Sequence, residues 1–308
     1  MSYMSSHPYI QNPFQFVRER GIGGIKRIAI EPYIQAVKKI EKYRPIGRNI
    51  YDYDWDLLVI LDGCRADIIK EVVHEYDFLS DDYARSIGGG SDIWMGRTFD
   101  SDHSSRISET LYITSNPFSN DKIDSKEFAG VEEVWRNGWD DELGTVPPRN
   151  VTDTAIKLSR QKDHRRTIVH YMQPHHPFIP NPMDEGINKE NPSNPHQSIW
   201  SMLREGDIEK DDAWEAYRDN LRYVLDDVEL LLNNIEKENV LITADHGNAF
   251  GEWGVWGHGQ YPISSVRSVP WVRTSAKDKK SYNPDISLKS ENIDTTVSER
   301  LQSLGYKQ

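Results

Sequence analysis

Three short apolar runs, each closed by a polar cluster, organise this chain. Trp55-Asp56-Leu57-Leu58-Val59-Ile60-Leu61 stops at Asp62-Gly63, and Thr167-Ile168-Val169-His170-Tyr171 runs into Gln173-Pro174-His175-His176-Pro177-Phe178. Val240-Leu241-Ile242-Thr243-Ala244 stops at Asp245-His246-Gly247. Runs of this length, bounded by Gly, Pro and Asp, predict buried strands. Between residues 213 and 235, Tyr217, Leu221, Val224, Leu225, Val228, Leu231, Leu232 and Ile235 recur at steps of three and four. That spacing predicts one apolar face of a long helix feeding the Val240 strand.

Strands alternating with helices predict an α/β protein with a mostly parallel sheet covered on both faces. In such sheets, sites gather where the strands end. Asp62, His175 and the Asp245-His246 pair all occupy predicted strand ends, distant in sequence and expected to converge. Carboxylate and imidazole held side by side on a rigid support are metal-ligand chemistry. A buried Asp with neither cation nor partner would be costly. Simpler readings stand beside this one: Asp245 capping a helix, Asp62 closing an Asx-turn, and the histidines as ordinary loop or core side chains.

The first 50 residues follow a different pattern. Apolar positions (Phe14, Phe16, Val17, Ile22, Ile25, Ile28, Ile30, Ile34, Val37, Ile40) alternate with basic ones, and Gly21, Gly23, Gly24 and Pro32 divide them into short helical pieces. Residues 1–50 thus read as a basic amphipathic extension to a body spanning 51–308. Such an extension packs on its own domain with a solvated basic face, or lies on an anionic membrane surface as a peripheral contact. Residues 88–110 and 179–212 read as long irregular segments, the kind that often carry function.

Charge sharpens the division. Residues 1–50 hold nine Lys and Arg against three Glu, a net of +6, which leaves −18 on the remaining 258 residues of a chain carrying −12 overall. An acidic body argues against nucleic acid as a partner. The single cysteine, Cys64, excludes an internal disulfide and a cysteine-based zinc cluster. There is no membrane-spanning apolar run and no signal-peptide layout at the start, so a cytoplasmic location is expected.

Four pieces, in order over residues 55–272, together resemble the alkaline phosphatase/sulfatase superfamily, nearest its sulfatase-like branch. They are Val59-Ile-Leu-Asp62-Gly-Cys-Arg65-Ala-Asp67; Ser86-Ile-Gly-Gly-Gly-Ser91-Asp-Ile-Trp94; His170-Tyr-Met-Gln-Pro174-His175-His-Pro177-Phe178; and Thr243-Ala-Asp245-His246-Gly-Asn-Ala-Phe-Gly-Glu252-Trp-Gly-Val-Trp-Gly-His258-Gly259. The Asp-Trp-Asp-Leu-Leu-Val lead-in adds a fainter likeness to a soluble archaeal subgroup. The resemblance implies an alkaline-phosphatase-like three-layer α/β/α fold. It also implies a divalent cation (Mn, Zn, Mg or Ca) bound by Asp62, Asp245, His246 and Ser91, with Ser91 as nucleophile. His175 and His258 would contact the transferred group or the leaving group. For Arg65 two readings stand, a contact to substrate oxygen and a local salt bridge. Ser86 or Thr98 could replace Ser91 as the hydroxyl.

Departures from the family pattern narrow the chemistry. Formylglycine sulfatases mature a Cys or Ser within Cys/Ser-x-Pro-x-Arg, and neither Cys64 nor Ser91 has that context. A plain serine sulfate lacks the escape that an aldehyde hydrate offers, so phosphate mono- or diesters are the expected substrates. Residues 167–178 contain no Asp to complete a second metal site, which favours one metal. The expected function is metal-dependent hydrolysis or transfer of a small-molecule, glycan or lipid-linked ester. Alternatives are a sulfatase with a nonstandard nucleophile and a non-catalytic glycan- or membrane-binding protein.

Overall fold

A computed structural model describes residues 12–183 and 198–286. The strands are β1 (Leu57–Leu61), β2 (Tyr83–Arg85), β3 (Thr110–Thr114), β4 (Gly130–Glu133), β5 (Arg166–Tyr171), β6 (Lys237–Thr243), β7 (Ala249–Phe250), β8 (Trp256–Gly257) and β9 (Ser268–Ala276). The longer helices are α1 (Pro13–Glu41), α2 (Ala66–Val72), α3 (Ser91–Thr98), α4 (Pro148–Gln161), α5 (Ile199–Glu205) and α6 (Lys210–Leu232). Seven strands form one sheet in the order β2-β9-β6-β1-β5-β3-β4, and β7 pairs with β8 apart from it. From β6 to β4 every pairing is parallel; β9 runs antiparallel to β6, and β2 antiparallel to β9.

All five residues of β1 are buried because both faces of this central strand are covered. Leu57, Val59 and Leu61 join one apolar cluster with Val151 and Ala155 of α4 and Leu221, Val224 and Val228 of α6. Leu58 and Ile60 face the other way, onto Trp55, Trp94, Met95 and Tyr112. The result is the expected three-layer α/β/α arrangement, and the continuous apolar strand is its signature.

Two local expectations are corrected. The N-terminal pieces form one helical run over Pro13–Glu41, broken in backbone angle only at Gly21 (φ 54°, ψ −135°) and continuing through Gly23, Gly24 and Pro32. Packing explains the continuity, since Gly24, Arg27, Ile34, Val37 and Glu41 are buried against the body. Within 88–110, which read as irregular, Ser91–Thr98 is helical because Trp94 and Met95 are drawn into the core. Part of the other irregular segment, 179–212, lies outside the described residues; its end forms α5 and the start of α6. Among the described residues no helix is long and apolar enough to cross a membrane.

Candidate metal centre

Register brings the two aspartates together. β1 pairs β6 with Leu57 opposite Val240 and Ile60 opposite Thr243, so two further steps set Asp62 level with Asp245. Gly63 turns the chain just beyond β1 at φ 66°, and its amide donates to Asp245 Oδ1 at 3.0 Å. The His246 amide donates to the same oxygen at 2.8 Å. Asp245 Oδ2 is left buried with no hydrogen-bond partner. Asp62, Asp245 and His246, all fully buried, offer ligand atoms within 4.8 Å of one another.

The imidazole of His246 is oriented for coordination. Its Nδ1 lies 3.0 Å from the Gly247 carbonyl, which calls for the proton on that nitrogen. Nε2 then presents its lone pair, 3.4 Å from Asp62 Oδ1 and 3.6 Å from Asp245 Oδ2. Ser91 completes the group: its hydroxyl donates to Asp62 Oδ2 at 3.2 Å and lies 3.4 Å from His246 Nε2. It is the first residue of α3, so any negative charge on its oxygen meets the positive end of that helix.

The donor set fits a divalent cation. Two carboxylates, an imidazole lone pair and a hydroxyl converge, one carboxylate oxygen has no other partner, and water is excluded. Burial without a cation would strand that charge. Burial pushes the Asp245 carboxyl upward, but His246, His170, the Ser91 hydroxyl and the Gly63 amide outweigh it and hold it below its ordinary value. Among the described residues this is the one such group.

A second tier of histidines borders the centre. His175, on the loop after β5, sits 5.0 Å ring to ring from His258, and His258 sits 4.5 Å from His246. His175 Nδ1 faces the His176 carbonyl at 2.6 Å, and His258 Nδ1 faces Asn248 Oδ1 at 2.9 Å. Burial first, then the neighbouring His246 and His176, pushes His175 down to about 3. Burial, with His246 and His175 adding to it, pushes His258 well below its ordinary value. Both rings are therefore neutral at pH 7.

Other candidates are placed elsewhere. Ser86 donates to the Asp245 backbone carbonyl and accepts from the Gly88 amide, so its hydroxyl is spent on the loop. Thr98 ends α3, about 10 Å along the helix from Ser91. The Arg65 guanidinium holds Asp67 at 2.8 and 2.5 Å, Glu252 at 2.8 Å and the Asn248 carbonyl at 2.9 Å. It lies over Trp214 at 4.8 Å. Of its two readings, the geometry is that of a local salt bridge. Burial first, with Asp67 and Asp245 adding to it, pushes the Cys64 thiol well above its ordinary value, leaving a small buried side chain. Trp94 is core, Trp256 partly buried and Trp253 exposed.

Three further side chains support the centre. Asn116, just past β3, donates to Asp62 Oδ2 at 2.7 Å. His170, inside β5, has Nε2 buried without a hydrogen bond, 3.8 Å from Asp245 Oδ2 and 4.0 Å from Asp62 Oδ2. Asn220 of α6 donates to the carbonyls of Pro174, His175 and Pro177 at 3.1, 3.1 and 3.3 Å, which fixes the His175 loop. The Asn220 signal was present: a polar residue next to Leu221 on the apolar side of a periodic helix.

No family model and no curated protein sequence matches the chain. Among solved structures, it is similar to the integral membrane protein lipooligosaccharide phosphoethanolamine transferase A from Neisseria meningitidis, with a TM-score of 0.51 and 14% identity. That match covers 88% of this chain and 59% of the transferase, so the chain spans under two thirds of its length. The soluble domain of that transferase gives a TM-score of 0.48 at 16% identity, covering 73% of this chain and 77% of the domain. An alkaline phosphatase superfamily protein from Vibrio parahaemolyticus gives 0.39 at 11%, covering 75% and 63%. The likeness is one of fold: a mostly parallel sheet with helices on both faces, the three-layer arrangement that the motifs implied. Nothing in these comparisons supports the archaeal subgroup.

Proposed function

We propose that this chain is a metal-dependent enzyme that transfers or hydrolyses phosphate esters through Ser91. The observation carrying the reading is the Ser91 hydroxyl, 3.2 Å from Asp62 and 3.4 Å from His246, at the head of α3. Asp62, Asp245 and His246 would hold the cation, with Ser91 beside them. A divalent cation there lowers the pKa of a serine hydroxyl and neutralises charge on a phosphoryl group.

The remaining chemistry belongs to the side chains. Ser91 Oγ bonds to phosphorus, the ester P–O bond breaks, and the serine proton ends on the leaving oxygen. An acceptor hydroxyl, from water or an alcohol, then takes the phosphoryl group and returns a proton to Ser91. His175 and His258, neutral and beside the centre, would contact the non-bridging oxygens or the leaving group as hydrogen-bonding partners. The α3 N-terminus stabilises the oxyanion. The likeness to a transferase named for lipooligosaccharide supports a glycan- or lipid-linked ester as the substrate class.

The test is turnover of an aryl phosphate and an aryl phosphodiester by protein loaded separately with Mn, Zn, Mg or Ca. Loss of activity in Ser91→Ala, with metal binding largely retained, supports the nucleophile. Full activity in that variant defeats it. Faster cleavage of the matching aryl sulfate would move the reading to sulfate esters.

A further inference from the structure

Helix α1 is built the wrong way round for a helix that only packs on its own protein. Its inward face carries Gly24, Arg27, Ile34, Val37 and Glu41, two of the five charged. Its outward face carries Ile22, Ile25, Ala29, Tyr33, Ala36 and Ile40, at steps of three and four residues. On that face Ile22, Ile25, Tyr33 and Ile40 are 72%, 54%, 50% and 54% exposed. At 100° per residue these six fall within one narrow stripe. A continuous exposed apolar stripe on a soluble surface marks an interaction site.

Charge selects the occupant. Lys26 and Lys39 are exposed and lie on opposite sides of the stripe, and Lys42 and Arg44 follow at its end. Of the acidic side chains of this helix, Glu31 is held by Arg27 and Glu41 by Arg267 at 2.9 Å and Arg97 at 3.4 Å, while Glu19 is exposed before the break at Gly21, where it accepts from Gln15. Apolar residues flanked by lysines, with no exposed carboxylate between Ile22 and Ile40, are the pattern of a helix lying in a bilayer interface. The body, at −18, would be repelled from an anionic surface, so this basic strip sets the orientation. Trp253 adds an amphipathic ring, 53% exposed, on the Glu252–Gly254 turn that packs against α1.

We propose that the outward stripe of α1 docks the protein on an anionic lipid bilayer as a peripheral contact. The apolar side chains enter the acyl boundary while Lys26 and Lys39 meet lipid phosphates. The proposal stands whether or not the centre transfers phosphate.

The experiment is co-sedimentation of the full chain with vesicles of phosphatidylcholine alone and of phosphatidylcholine with phosphatidylglycerol, at low and high salt. Binding is expected only to the anionic vesicles and weakens as salt rises. Replacing Lys26 and Lys39 by Gln should weaken it about fivefold per lysine. Ile25→Ser with Ile40→Ser should abolish it while leaving the circular dichroism spectrum and thermal unfolding unchanged. Quenching of Trp253 fluorescence by brominated lipid, lost in Trp253→Phe, would support the orientation. Absence of binding at low salt overturns the proposal, as does equal binding to both vesicle types. A vesicle-independent dimer dispersed by the same two serine substitutions overturns it in favour of a contact between copies.

Discussion

The backbone amide of Gly63, at the tip of β1, is hydrogen-bonded at 3.0 Å to the carboxylate of Asp245, at the tip of β6. One turn therefore fixes a carboxylate contributed by the neighbouring strand. A Cβ at residue 63 would come within 2.5 Å of Asn248 Nδ2 and would sit at φ 66°, where L side chains are strained. Gly63→Ala should destabilise the fold by about 1–2 kcal/mol from the backbone alone. It should also weaken metal binding by about tenfold or more, through the displaced Asp245. Urea unfolding and calorimetric metal titration measure the two effects separately.

Metal should act as a stabilising ligand. At a free concentration about 100 times its dissociation constant, a cation adds about 2.7 kcal/mol. Chelation should lower the melting temperature, and the right metal should restore it. Asp245→Asn should abolish that response while keeping an oxygen that can accept from the Gly63 and His246 amides. A marked fall in metal-free stability would mean that the aspartate serves the fold rather than an ion.

Asn220→Ala removes the donor shared by three carbonyls of the His175 loop. Stranding them should cost about 1–3 kcal/mol. Turnover should fall while metal affinity holds, since Asp62, Asp245 and His246 lie on other loops. Paired measurement of kcat and metal affinity checks this separation.

Arg65→Lys keeps the charge but loses the planar fork that spans Asp67, Glu252 and the Asn248 carbonyl. The expected outcome is a stability loss of about 1–3 kcal/mol with little change in KM. A large rise in KM with intact stability would instead assign Arg65 to substrate oxygen.

His103 gives a pH signature away from the centre. Burial opposes its protonation, but Asp100 at 2.7 Å and Asp52 at 3.1 Å outweigh that and raise its pKa. A raised folded value means the stabilisation is complete below the unfolded pKa and is lost as pH rises through the folded one. His103→Gln should therefore destabilise more at acidic than at alkaline pH. Urea midpoints for both proteins across that range test the sign.

The legible parts of this molecule were those with a period or a punctuation mark. Strand β1 announced itself as an unbroken apolar run, and Asp62 and Asp245 stood at strand ends where a parallel sheet collects its sites. Asn116 was not legible as a site residue, because its role depends on which strands become neighbours, while His170 and Asn220 stood out in the sequence without showing what they would touch. Helix α3 was hidden for a related reason: eight residues opening on Ser-Asp-Ile hold their shape through Trp94 in the core, not through propensity. The Arg65 fork was half visible, since Asp67 is two residues away while Glu252 is reached only by folding.

The parallel pairing of β1 with β6 has one more consequence. The two aspartates, Asp62 and Asp245, lie 183 positions apart along the chain, so no fragment ending before β6 contains the pair. High-affinity uptake of an ion would then report closure of one of the longest-range pairings in the sheet, among the slowest kinds of event in folding. A metal added during refolding would act as a timed probe of when the two halves of the molecule meet.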